Sequence, residues 1–255
     1  MRVLRSGMIG PDVTAWATFL LGQGLLKGPI PSSFDTHLVE ATRMFQARSG
    51  TQADGVVGLE TYRGGMYLGF DPTKDEPGHT DINWPPPPTD LRPTNQADRK
   101  RLFGSFNFRP APTEQNPEAI QILGDWEAKN IVTIVCPQLQ HIHPTGKVRV
   151  HRAAAEAFLD LWADWEKAGL LELVLVWNGS FVPRYVRGSE TNLSNHSFGS
   201  AFDINAVYNK LGTRPAAKGT KGSVRELVPL ANERGWYWGG HYANRADGMH
   251  FELCK

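Results

Sequence analysis

Cysteine is nearly absent: the 255 residues include only Cys136 and Cys254. That count excludes a disulfide framework, and their separation supplies none of the paired spacings of a zinc knuckle or redox motif. One disulfide or two thiols both stay open. Charge of one sign is missing too. The 27 basic and 26 acidic side chains nearly cancel, so no global field gathers polyanions, and a nucleic-acid partner has no electrostatic support. Long apolar runs are also lacking. No stretch nears the roughly eighteen apolar residues that cross a bilayer, which argues against membrane insertion. The opening "MRVLRSGMIGPDV" has no apolar leader segment. A monomer made in the cytoplasm without a signal peptide is the expectation. If its target lies elsewhere, it must be released or carried there.

What is present starts with helical patterning. After Pro11, Asp12 is placed to cap a helix whose Val13, Trp16, Ala17, Leu20 and Leu21 form a buried stripe, ended by Gly22 and Gly24. Asp35 or Thr36 can cap a second helix with Leu38, Ala41 and Phe45 on its apolar face, and "ADGVVGLETY" supplies a turn and a third helix start at 58–61. The pieces "RSGMIGPDVTAWATFLLGQGLL", "FDTHLVEATRMFQARSG" and "DGVVGLETY", spanning roughly Val3 to Leu68, resemble the peptidoglycan-binding domain of cell-wall hydrolases. Trp16 departs from that pattern, where Leu followed by Gln is commoner, and is expected to alter a helix surface.

Residues 71–100 lose periodicity and carry four consecutive prolines, Pro85 to Pro88. Polyproline geometry makes this stretch a semi-rigid tether between a helical domain (1–70) and a second domain (101–255). In the latter, "NIVTIVCPQL" reads as a strand from Ile131 into Pro137. Ala154, Phe158, Leu161 and Trp165 mark a helix face. "LLELVLVW" (170–177) reads as a buried strand, with "AFDIN" and "MHFEL" as shorter ones. Strands that do not alternate regularly with helices predict an α+β domain with an antiparallel sheet.

The chemistry concentrates in "LSNHSFGSAFDIN" and "DGMHFEL". A catalytic zinc takes three protein donors and keeps one open position. His196 and Asp203 supply two donors, with Gly199 permitting a tight backbone return and Ala201 leaving room above the strand. His250 is the best third donor, sharing a strand face with Glu252 and opposite Met249 and Phe251. Asp247, three residues earlier, can take a proton from water. His141 and His143 lack a third donor at a convincing spacing. Ser194 and Ser200 lack a nucleophile context.

Ser194, His196, Gly199, Ala201 and Asp203 fill an S-x-H-x2-G-x-A-x-D pattern, and "DGMHFE" follows. Together they resemble the zinc D-alanyl-D-alanine carboxypeptidase and L-alanyl-D-glutamate endopeptidase family, with its hedgehog/DD-peptidase-like fold. The resemblance implies zinc on His196, Asp203 and His250, Asp247 as catalytic base, and peptidoglycan as substrate. In "WNGSFVPRYVRGSETNLSNH" it also implies an arginine stabilising the scissile carbonyl, Arg184, with Arg187 as competitor. Ser194 is expected to hydrogen-bond within the site, and His241 and Trp238 to line the substrate groove.

The expected activity is stem-peptide amide hydrolysis of the endolysin type, an L-alanyl-D-glutamate endopeptidase. D-alanyl-D-alanine carboxypeptidase activity and a non-catalytic, zinc-stabilised wall-binding role are the rivals. Holin-type release or delivery by a secretion system would bring the protein to the wall.

Overall fold

The computed structural model describes residues 1–72, 83–243 and 245–255. Three helices, α1 (Pro11–Gly22), α2 (Thr36–Arg48) and α3 (Leu59–Tyr67), make the N-terminal unit. Gly10, not Asp12, caps α1, because Pro11 occupies the first helical position. Asp12 sits inside the first turn and pairs with Arg2 at 2.6 Å. Asp35 caps α2 as expected, its carboxylate accepting from the Leu38 N–H at 2.9 Å.

Trp16 lies on the buried stripe, as its spacing predicts, so its departure from the family pattern changes the core and not an exposed helix surface. It is fully buried, ringed by Phe19, Phe45, Tyr62 and Phe70 at 5.2 to 6.0 Å between ring centroids. Its indole N–H donates to Thr42 Oγ1 at 3.0 Å. An indole can enter a core when its one polar atom is matched in this way. The buried Gln46 amide ties down the Asp-Gly turn, donating to Asp54 and Val56 and accepting from the Gly55 N–H.

The C-terminal unit is α+β with antiparallel sheets, as expected. Helix α4 (Gln96–Phe103) precedes a hairpin of β1 (Asn107–Pro110) and β2 (Ile120–Leu123). The short α5 (Trp126–Asn130) leads into a second hairpin, β3 (Ile131–Val135) with β4 (Lys147–His151). Helix α6 (Ala155–Lys167) buries Phe158, Leu161, Trp162 and Trp165. It packs on a four-stranded sheet ordered β5-β6-β8-β7: β5 (Trp177–Gly179), β6 (Ala201–Ile204), β8 (His250–Leu253) and β7 (Trp236–Trp238). Helix α7 (Val228–Glu233) precedes β7. No described helix is long and apolar enough to cross a membrane. Both cysteines are free thiols.

The apolar run 170–177 is not a continuous strand. Leu171–Leu173 forms one 3-10 turn, and only Trp177 joins β5. The reason lies in Asn205, fully buried and left-handed at φ 55°. Its side-chain oxygen accepts from the Leu175 and Val176 N–H groups at 2.8 and 3.0 Å, donors that a strand would give to a ladder. Its amide nitrogen donates to the carbonyls of Leu173 and Gly222. Asn205→Ala is therefore expected to lower the unfolding free energy by about 3 kcal/mol, since several buried backbone groups lose their partner at once. Chemical denaturation measures it, and a loss below about 1 kcal/mol would mean that water replaces the amide.

Part of the proline-rich stretch, residues 83–100, runs against the C-terminal unit. Trp84 packs on Trp238 at 5.3 Å, and the Thr94 backbone and hydroxyl both donate to Glu252. Residues 73–82 lie outside the described residues. The two units also meet directly. Ile30 N–H donates to the Gly188 carbonyl at 3.0 Å and Arg214 N–H to the Gly69 carbonyl at 2.8 Å. Gly22 lies so close to Leu211 that a Cβ there would collide with the Leu211 carbonyl oxygen.

Candidate metal centre

Strand register explains why two distant residues meet. In the β6–β8 ladder Ala201 faces Glu252, Phe202 faces Phe251, and Asp203 faces His250. Alternation sends Phe202 and Phe251 into the core, stacked at 5.3 Å with 10° between planes, and turns Asp203 and His250 to the opposite face. Both phenylalanines are fully buried. A slip of one residue would carry the polar pair into the core, so burial of the aromatics holds the register.

His196 arrives from the 3-10 turn Asn195–Phe198. Ser194 begins this turn, its hydroxyl accepting from the His196 N–H at 3.3 Å. Gly199 ends it at φ 65°, and any Cβ would meet the His151 backbone nitrogen at 2.6 Å. Only glycine serves there, because the left-handed conformation and the close approach are required together.

His196 Nε2 lies 3.1 Å from Asp203 Oδ1 and 3.1 Å from His250 Nδ1, and the latter two atoms are 2.9 Å apart. A tetrahedral ion with bonds near 2.0–2.1 Å holds its donors roughly 3.3 Å apart, so this triangle fits zinc. The outer partner of His196 agrees. Its Nδ1 faces the Ser180 carbonyl at 2.6 Å. A carbonyl only accepts, so the proton sits on Nδ1, and Nε2 turns a lone pair toward the other two donors. Two nitrogens and one carboxylate oxygen are the donor set that zinc takes. Burial works against an ionised Asp203, but whenever the ring nitrogens of His196 and His250 that face it carry a proton instead of a metal, their charges and hydrogen bonds hold its carboxyl well below the usual range. Burial likewise favours a neutral His250, and the Asp203 hydrogen bond and nearby carboxylates outweigh it to raise the imidazole.

Asp203 and Asp247 line a cleft of about 660 Å³, together with Arg184, Arg187 and Met249. Asp247 is held by its backbone, its N–H donating to the Gly239 carbonyl and its own carbonyl accepting from the His250 N–H. Its Oδ1 is buried with no hydrogen-bond partner. Burial raises this carboxyl above its ordinary value, the direction that makes a carboxylate a stronger base.

The two arginines differ in their company. Arg187 pairs with the buried Glu118 at 3.0 Å, and the Gly188 N–H bonds the other oxygen of that carboxylate. Arg184 donates to the Tyr185 carbonyl at 3.1 Å, and its backbone is tied to the Ser197 hydroxyl at both N–H and C=O.

Two other residues expected in the groove stand apart from this cleft. Trp238 is fully buried, its indole N–H donating to the Gly248 carbonyl at 2.8 Å. His241 Nε2 bonds the Pro85 carbonyl at 2.8 Å. His141 and His143 face backbone carbonyls in a turn, not a strand. Sequence reasoning missed Glu118, which sits in a loop without motif. It also missed the role of the fully buried Glu252, whose carboxylate accepts from the Thr94 N–H and hydroxyl. For Glu252 the signal was its place two residues after His250 on one strand face.

Comparison with known families places the site in context. Residues 187–253 match the family described as D-alanyl-D-alanine carboxypeptidase, and residues 9–63 match the putative peptidoglycan binding domain. The first match includes His196, Asp203, Asp247 and His250 and starts after Arg184; the second covers α1, α2 and the start of α3. Both resemblances read in the sequence are thus matched, and the pair supports a peptidase acting on peptidoglycan. No curated protein and no solved structure matches the chain.

Proposed function

We propose that this protein is a zinc-dependent peptidoglycan hydrolase that cuts an amide bond of the stem peptide, the L-alanyl-D-glutamate bond first among the candidates. The observation that carries the reading is the 2.9–3.1 Å convergence of His196, Asp203 and His250, with the half-buried Asp247 on the same cleft, its Oδ1 without a hydrogen-bond partner. The two family matches support the choice of polymer.

His196, Asp203 and His250 would hold zinc, which would supply Lewis acidity toward the scissile carbonyl and the attacking water. The Asp247 carboxylate, on the cleft lining, accepts the proton of that water and passes it to the departing amine nitrogen. Arg184 donates to the carbonyl oxygen as negative charge grows there. It is preferred to Arg187, whose guanidinium is already paired with Glu118. Ser194 acts one step back, fixing the turn that delivers His196. The helical unit, by binding the same polymer, raises the local concentration of substrate.

A carboxypeptidase removing terminal D-alanine is the second reading, favoured by the description of the matched family. Incubation of purified sacculi with the zinc-loaded protein, followed by mass spectrometry, separates the two. Split stems are the expected product; free alanine alone would assign the terminal bond. A zinc-loaded chain that binds sacculi and releases nothing would make it a wall-binding protein without catalysis.

A further inference from the structure

The cleft beside Asp203 and Asp247 is not built by the C-terminal unit alone. Leu21, Leu26 and Lys27, at the end of α1 and the turn after it, supply part of its wall. Lys210, from the opposite unit, lines the same cleft and donates to Gln23 Oε1 at 3.0 Å across the seam. The seam is held by backbone contacts at Ile30 with Gly188 and Gly69 with Arg214, so this wall is fixed in place.

The charges along it are unevenly answered. Arg187 and Glu118 neutralise each other, and Arg184 stands with the groups of the reacting centre. Among the described residues, Lys27 and Lys210 have no carboxylate partner, and the only further acid on the lining is the exposed Glu114. Two ammonium groups, one from each unit, on the wall of a cleft that also holds Asp203 and Asp247 suit an anion carried by the peptide.

We infer that the helical unit forms a working wall of the cleft, and that Lys27 and Lys210 together make a subsite for a carboxylate of the peptide substrate. This rests on the proposed hydrolysis of the stem peptide. Such a peptide offers carboxylates at its C-terminus and on its D-glutamate, and both present the same chemistry to an ammonium group.

The test uses the full zinc-loaded chain and three synthetic stem peptides: one with all carboxylates free, one amidated at the C-terminus, and one amidated on D-glutamate. On the free peptide, Lys27→Met and Lys210→Met each raise KM about tenfold, the loss of one charged hydrogen bond, with kcat unchanged. Wild type meets one of the two amidated peptides with that raised KM, and the lysine variants lose nothing more on it; which peptide this is identifies the carboxylate. KM values that stay equal between wild type and variants, or that rise alike on all three peptides, overturn the subsite. If wild type cleaves none of the peptides, the hydrolase reading falls instead. Calorimetric binding of the same peptides then decides the subsite: weaker binding of the free peptide by the lysine variants upholds it, and unchanged binding overturns it.

Discussion

Asp247→Asn lowers kcat on a stem-peptide substrate by about 10³, within the range for loss of a general base, while zinc content and KM stay close to those of wild type. The amide keeps the shape of the carboxylate but cannot take a proton at neutral pH. The backbone around residue 247 is pinned by Gly239 and His250 without help from the side chain. Oδ1 makes no hydrogen bond that the substitution would break. The fold and the donor triangle therefore survive the change. Steady-state kinetics alongside metal analysis checks this. A variant within about tenfold of wild type would move the base to another group.

His250→Ala acts on the other half of the site. Removing one of three donors leaves His196 and Asp203, too few to hold zinc through dialysis, so metal content falls from one ion per chain to nearly none. Activity falls by 10³ or more, on the order expected when the Lewis acid is lost. The Phe202–Phe251 stack lies on the opposite face of the same strands, so the metal-free variant unfolds close to metal-free wild type. Retained zinc in His250→Ala would show that the ion sits elsewhere. The two variants thus separate binding from proton transfer: one keeps the metal and loses turnover, the other loses both.

Some of this site was legible in the sequence for local reasons. The interval from His196 to Asp203 spans one turn and one strand, and Gly199 marks the return because no other residue takes its backbone angle against His151. The α2 cap at Asp35 and the stripe of α6 were legible because each depends on neighbours within a few positions. Pairing of Asp203 with His250 depends on a strand 47 residues away. There strand alternation put forward the third donor, and the family resemblance, not any local pattern, joined it to the first two.

What was misread involves partners that pattern does not reveal. The run at 170–177 has strand composition, but the Asn205 amide takes the N–H groups a ladder would need. Trp16 was placed in the buried stripe, but the partners that ring it, Phe45, Tyr62 and Phe70, lie on other segments and were not legible from its spacing. Glu118 and the seam between units belong to the same class, since both are made by loops from distant parts of the chain.

Gly22 carries a consequence beyond its own contact. With its missing side chain filled by the Leu211 carbonyl, the front bundle cannot be treated as an interchangeable cartridge. A grafted bundle bearing alanine or anything larger at that point would be levered away from the catalytic half. Recombination among such hydrolases would then preserve position 22 and the 211–214 loop as a co-inherited pair, even where the rest of either half is exchanged.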